Sequence, residues 1–169
     1  LTNNEVTNCA YGYQIRGNGV QLDSNKATST QTQKVGAGFT IESDHVWLGG
    51  RSENFDRFFE CGAVGQNIAD GFGYGFVFNK FSYTLKENTA KNNAQDGFYF
   101  LGGSDINLFV DNKAEGNGKN GFNFAQTTGI VGSVSSEKNG ECGVKFEDSQ
   151  NNNYFGPIYS KLNGNGLCL

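Results

Sequence analysis

Asn93-Ala94-Gln95-Asp96-Gly97-Phe98-Tyr99-Phe100 is followed 24 residues later by Asn117-Gly118-Lys119-Asn120-Gly121-Phe122-Asn123-Phe124, with Asn, Gly and both Phe at matching offsets. The core of this motif, glycine followed by apolar, any residue and apolar, occurs seven times: Gly12 to Ile15, Gly38 to Ile41, Gly75 to Phe78, Gly97 to Phe100, Gly121 to Phe124, Gly143 to Phe146 and Gly166 to Leu169. The glycines are spaced by 26, 37, 22, 24, 22 and 23 residues, so the 37 reads as one ordinary repeat carrying an insertion. Asn stands four places before the glycine at Asn8, Asn93, Asn117 and Asn139, and three places before it at Asn163. Asn tolerates left-handed backbone and bonds its own main chain, so stacked copies predict a ladder along successive turns. A second short strand follows each glycine strand, as in Val20-Gln21-Leu22, Val46-Trp47-Leu48, Tyr83-Thr84-Leu85 and Ile106 to Val110.

A unit of this length cannot bury an apolar face alone, so neighbours must stack; period-two strands without a helical period then predict a β-solenoid. In the glycine strand the residues one and three after Gly share one side of the pleat. They are aromatic or aliphatic throughout, which predicts two inward stacks and accounts for most of the 15 Phe. The residues two after Gly face outward: Gln14, Thr40, Val77, Tyr99, Asn123, Lys145 and Cys168. Residues 1–169 are read as one domain of about seven coils of 22–24 residues, with the insertion near 49–70. The uncapped core strand Leu167-Cys168-Leu169 and the Asn turn at the start give the expectation of a fragment or module of a longer chain, or of end-to-end or trimeric self-association.

Repeats of 22 to 24 residues with Asn-x-x-Asp-Gly-Phe-type motifs resemble the right-handed, single-stranded parallel β-helices of the pectate-lyase-like superfamily, over essentially the whole chain. The resemblance implies an all-β fold, an extracellular or cell- or virion-surface setting, and a polysaccharide bed on the outward strip. Within that strip Tyr99, Asn123 and Lys145 form the candidate sugar-binding row. Gly73-Tyr74-Gly75-Phe76 is similar to the opening of the mannuronan C5-epimerase active-site motif, but Val77-Phe78-Asn79 stands where Asp-Pro-His is expected. The quoted Asn-rich coils look like those of family nine pectate lyases, whose catalytic Lys follows a Gly-Phe; that place holds Asn123, and Lys145 lies one coil later. Of the calcium-binding aspartates of those lyases only Asp96 has a visible match.

The insertion collects a second candidate group: His45, the sole His; Trp47, the sole Trp; Arg51 and Arg57; and Asp56. Excursions from a rigid solenoid commonly carry binding groups. Trp47 is expected to stack on a sugar, the arginines to hold a carboxylate, and His45 with Asp56 or Glu60 to form an acid–base pair; packing of the insert through Phe55, Phe58 and Phe59 against the barrel flank is the alternative.

The four cysteines contain no Cys-x-x-Cys and no metal pattern. Cys142 precedes its glycine by one and Cys168 follows its own by two, an offset worth roughly 10 Å along straight strands, so no Cys142–Cys168 bridge is expected. Cys9 with Cys61 is left open. No metal or cofactor is expected; calcium, which takes about six to eight oxygens, is the one ion weighed, because acidic residues recur at turns.

Charged residues make up 18% of the chain, the formal charge is −4, and the ten Lys and three Arg form no basic run, which argues against nucleic acid as a partner. No apolar stretch reaches the roughly 18 residues that span a bilayer, so membrane insertion is not expected. The sequence therefore points to a rigid structural or adhesive module of a secreted or surface protein, with polysaccharide as its small partner. The alternative is a carbohydrate-active enzyme, a polysaccharide lyase or uronate epimerase; whether the chain is an enzyme stays open at this point.

Overall fold

The computed structural model describes residues 1–17, 21–42, 46–48, 66–79, 83–101, 105–148 and 154–169. Its strands, numbered β1 to β20 along the chain, wind into a parallel β-solenoid of three sheets, and no helix occurs among the described residues. Sheet 1 holds β1 (Glu5–Thr7), β4 (Lys26–Thr28), β7 (Ile68–Asp70), β10 (Thr89–Lys91), β13 (Asn112–Glu115), β16 (Val134–Glu137) and β19 (Ile158–Lys161). Sheet 2 holds β2 (Tyr13–Arg16), β5 (Ala37–Glu42), β8 (Tyr74–Phe78), β11 (Phe98–Phe100), β14 (Phe122–Ala125), β17 (Cys142–Glu147) and β20 (Asn165–Cys168). Sheet 3 holds β3 (Gln21–Leu22), β6 (Val46–Leu48), β9 (Tyr83–Lys86), β12 (Asp105–Val110), β15 (Thr128–Val131) and β18 (Tyr154–Phe155). The chain visits the three sheets in turn, and every strand pairs in parallel with the strand three places along.

The glycine strands are sheet 2, and their inward residues make the core. Tyr13, Phe39, Phe76, Phe98 and Phe122 stack with successive ring centroids 4.8, 4.8, 4.8 and 4.9 Å apart. A second column, Phe78, Phe100, Phe124 and Phe146, runs beside it at 4.5, 5.0 and 5.1 Å. These distances follow from the strand spacing, and each near-parallel pair adds about 0.5–1.5 kcal/mol beyond its buried area. Where sheet 1 comes against the glycines of sheet 2 its inward residues are small, Ala69, Ala90, Ala114 and Ser136, and sheet 1 also buries Ala27, Asn112 and Val134. A Cβ on Gly97 would lie 2.7 Å from the Gly121 carbonyl oxygen and 2.8 Å from Asn117 Nδ2, so the motif requires glycine at this place.

Two of the corners are held by amide ladders. Between sheets 1 and 2, the chain turns through a residue in left-handed conformation (Asn92, Gly116, Lys138 and Leu162, φ 54° to 65°) and then places Asn93, Asn117, Asn139 and Asn163 in a column. Each Asn donates its backbone N–H and its Nδ2 to Oδ1 of the next: Asn93 to Asn117 at 3.1 and 2.8 Å, Asn117 to Asn139 at 3.0 and 2.9 Å, and Asn139 to Asn163 at 2.8 Å for both. Asn8 does not join this column. It is itself the left-handed residue, with φ 58°, and stands where Asn92 stands in its coil; its exposed Oδ1 accepts from Thr30. The corner before Gly12 is one residue shorter, so the offset from glycine selects a different place in the turn. A second ladder, between sheets 3 and 1, joins Asn4, Asn25, Asn67, Asn88 and Asn112 in the same manner.

One expectation fails. Cys142 and Cys168 form a disulfide, with their Cα atoms 6.1 Å apart. The strand register is as read from the sequence, Cys142 opposite Asn165 and Lys145 opposite Cys168. The distance drawn from it assumed straight, fully extended strands, whereas a 6.1 Å separation requires the chain to bend across these positions beside the Asn139–Glu141 corner. Cys9 is exposed and its Sγ lies 3.4 Å from the Thr7 carbonyl oxygen; Cys61 lies outside the described residues.

Candidate functional site

The strip predicted to face outward from sheet 2 is in strict register. Gln14 pairs with Thr40, Thr40 with Val77, Val77 with Tyr99, Tyr99 with Asn123, Asn123 with Lys145, and Lys145 with Cys168. The three row candidates Tyr99, Asn123 and Lys145 are therefore neighbours on three successive coils. At the opposite end of the strip, Gln14 and Thr40 line a small cleft beside an exposed Arg16–Glu42 ion pair of 2.8 Å.

The row is completed by residues that stand directly before the glycines: Tyr74, Asp96 and Asn120. Tyr74 packs on Tyr99, with ring centroids 5.7 Å apart and planes 21° from parallel. Asp96 is buried, and its Oδ1 accepts the backbone N–H of Asn120 at 3.0 Å and Asn120 Nδ2 at 2.7 Å. Its Oδ2 accepts Asn123 Nδ2 at 3.1 Å. Asn120 in turn accepts the Cys142 N–H at 3.2 Å. Here the donors point back toward the earlier coil, opposite to the Asn ladders, and the column ends at a carboxylate that can only accept.

That network fixes the amide of Asn123. Turning it over would bring Oδ1 against the Asp96 carboxylate, so Nδ2 faces Asp96 and Oδ1 faces away. Asn123 is 7% exposed and its Oδ1 has no hydrogen-bond partner among the described residues. A buried acceptor left in this state costs about 1–3 kcal/mol. Next along the strip, Lys145 Nζ pairs with Glu147 Oε2 at 3.0 Å, a half-exposed contact of small energetic weight.

The ionisable groups sense the field over the row. Partial burial raises the Tyr99 phenol above its ordinary value, followed by Tyr74 and the charges of Asp96 and Glu147, against Lys145. Tyr74 is raised by burial and then by Asp96. Lys145 is raised by its hydrogen bond with Glu147, and further by the charges of Glu147, Asp96 and Glu141, against partial desolvation.

Of the second candidate group, only Trp47 lies among the described residues. Trp47 belongs to β6 in sheet 3, paired with Gln21 and Thr84, whereas Tyr99, Asn123 and Lys145 belong to sheet 2. His45, Arg51, Asp56 and Arg57 lie outside the described residues. Among the described residues no three His, Cys, Asp or Glu side chains gather closely enough to hold a metal ion. Tyr74, Asn120 and Glu147 were not among the row candidates from sequence. The available signal was a shared offset: Tyr74, Asp96, Asn120 and Cys142 each stand one place before a repeat glycine. The chain matches no family model, and it matches neither a curated protein nor a solved structure.

Proposed function

We propose that the chain is a rigid β-helix module of an extracellular or surface protein and that the outer face of sheet 2 binds polysaccharide. The observation that carries this reading is the row itself: a Tyr74–Tyr99 aromatic pair, followed in register by Asn123 and then by the Lys145–Glu147 ion pair on the next coil. Sugar rings present apolar C–H faces to aromatic rings and hydroxyls to fixed polar atoms, and small-molecule sites are built from such a mixture. The strand register sets these different groups one coil after another along the strip, which suits a chain of sugars. The resemblance to β-helix repeat proteins and the outward register of Tyr99, Asn123 and Lys145 support the same assignment. The test is equilibrium binding of the purified chain to a panel of neutral and acidic polysaccharides. Saturable binding that falls at least about ten-fold in Tyr99→Ala is expected. No saturable binding to any member overturns the proposal, and release of unsaturated sugar ends or epimerised residues would replace it with the lyase or epimerase reading.

A further inference from the structure

Given that this face is a glycan bed, we infer that it continues two coils back to a second aromatic platform at Tyr11, and that its occupant is an extended glycan ribbon of the cellulose kind lying along the rod. The residues directly before the repeat glycines supply the first argument. Tyr74 meets Tyr99 and Asp96 meets Asn123, so each such residue stands against the outward residue of the next coil. Gly12 N–H donates to the Ala37 carbonyl oxygen at 3.0 Å, as Gly75 N–H does to that of Asp96 at 3.1 Å, which carries the same register back to the first coil. Tyr11 is thus opposite Ala37, and Ala37 is opposite Tyr74. The same offset sets Tyr11 alongside Thr40 and Ala37 alongside Val77.

The second argument is that Tyr11 is at once exposed and held. It is 54% exposed, and its ring lies against the α-carbon of Gly36, where a Cβ would come 2.8 Å from two ring atoms. Gly36 has φ 66°, and its carbonyl oxygen accepts the Tyr74 N–H at 2.9 Å, so one backbone residue supports the first platform and anchors the second. Between the two tyrosines the column holds only Ala37, 4% exposed, with the short side chains of Thr40 and Val77 alongside. Tyr11 and Tyr74 are two strand spacings apart, about 10 Å. An equatorially linked pyranose chain advances by about one strand spacing per sugar and turns over at each linkage. Alternate sugars therefore present the same face at the interval of the two rings, and the sugar between them has room over Ala37. Their C–H faces pack on the tyrosines, and the hydroxyls at their edges meet polar groups such as Thr40. A helical glycan curves away from this line and reaches one platform only.

The experiment is titration of the full chain, followed by NMR, with the disaccharides and hexasaccharides of the cello, manno and xylo series and with maltohexaose as the helical control. In at least one ribbon series the hexasaccharide is expected to bind about ten-fold more tightly than its disaccharide, the worth of one further aromatic contact, and more tightly than maltohexaose. Tyr11→Ala is expected to erase that gain while leaving disaccharide binding at Tyr74 and Tyr99 unchanged, which also reports that the variant is folded. Tyr11→Phe keeps the ring and is expected to keep the gain, and Tyr99→Ala is expected to weaken both lengths. A gain with length that survives in Tyr11→Ala, or that disappears in Tyr11→Phe, overturns the aromatic platform while leaving the glycan bed in place. Maltohexaose binding as tightly as every ribbon overturns the extended occupant. Failure of every sugar to bind overturns the glycan bed and this inference with it.

Discussion

The two faces of sheet 2 are made by the same strands, yet they are built on opposite plans. The inner face repeats one answer: Phe98 lies between Phe76 and Phe122, and Phe100 between Phe78 and Phe124, all fully buried and stacked at the strand spacing. The outer face never repeats itself, running Gln14, Thr40, Val77, Tyr99, Asn123, Lys145. Packing against a neighbour of the same kind rewards repetition, because each ring must fit the ring above and below. Recognition needs different groups at fixed places, and a rigid scaffold lets them vary one coil at a time. The repeat therefore specifies the solenoid, and departures from it mark the face to which polysaccharide binding is proposed.

The sharpest way to break this comparison is to shorten one inner side chain. Phe98→Ala is expected to cost about 3–5 kcal/mol of stability, since the rings on either side cannot close the space. Val77→Ala, on the outer strip of the neighbouring coil, should cost less than about 1 kcal/mol. Chemical denaturation of both variants checks the pair, and equal losses would show that the two faces do not differ in the way described.

The corner amides come next. Asn117 Oδ1 accepts two bonds from Asn93, while its Nδ2 donates to Asn139 and to the Ala90 carbonyl. Asn117→Ala strands several buried groups at once and is expected to cost about 3 kcal/mol, against less than about 1 kcal/mol for Asn8→Ala at the exposed corner that stands outside the ladder. The same denaturation assay distinguishes them.

The Cys142–Cys168 disulfide closes 26 residues, so its removal in the Cys142→Ser, Cys168→Ser double variant is expected to lower stability by about 3 kcal/mol. Hydrogen exchange should locate the loss in β17, β19 and β20, leaving the Phe76–Phe98–Phe122 stack protected.

The smallest expected effect concerns the outer face alone. Tyr74 and Tyr99 have phenols raised above the ordinary value of about 10. A group raised in the folded state contributes stability that is fully present below its unfolded pKa and is lost as pH rises through the folded one, so their contribution vanishes only on the alkaline side. Ultraviolet titration of tyrosinate should show these two, together with Tyr13, whose phenol burial and then Glu5 also raise, ionising late among the seven tyrosines. Asp96→Asn should bring Tyr74 and Tyr99 back toward the rest while burial keeps them partly raised. No change in Asp96→Asn would remove the carboxylate from the account of the field.

Much of this was legible from the glycine offsets. Counting from Gly75, Gly97, Gly121 and Gly143 assigns both Phe columns, the outer strip and most of the first Asn ladder, because the same offset means the same height and side in every coil. The second ladder was not legible in that way. Asn25 and Asn67 are separated by 42 residues across the insertion, and their place is set by the left-handed residue before each rung rather than by the glycine. The Cys142–Cys168 bridge was missed because register gives sequence offset, not distance, wherever a strand bends next to a corner. Asn123 was selected as an outward residue, but only the structure shows that Asp96 draws its amide down and leaves one oxygen without a partner among the described residues.

Both Asn ladders share a direction. In each rung the N–H groups belong to the earlier coil and the accepting oxygen to the later one, from Asn4 to Asn112 on one edge and from Asn93 to Asn163 on the other. Side-chain amides are permanent dipoles, and dipoles joined head to tail polarise one another. The rod thus carries two parallel filaments of aligned dipoles along its length and is electrically asymmetric end to end, so that two such solenoids laid side by side attract when antiparallel and repel when parallel.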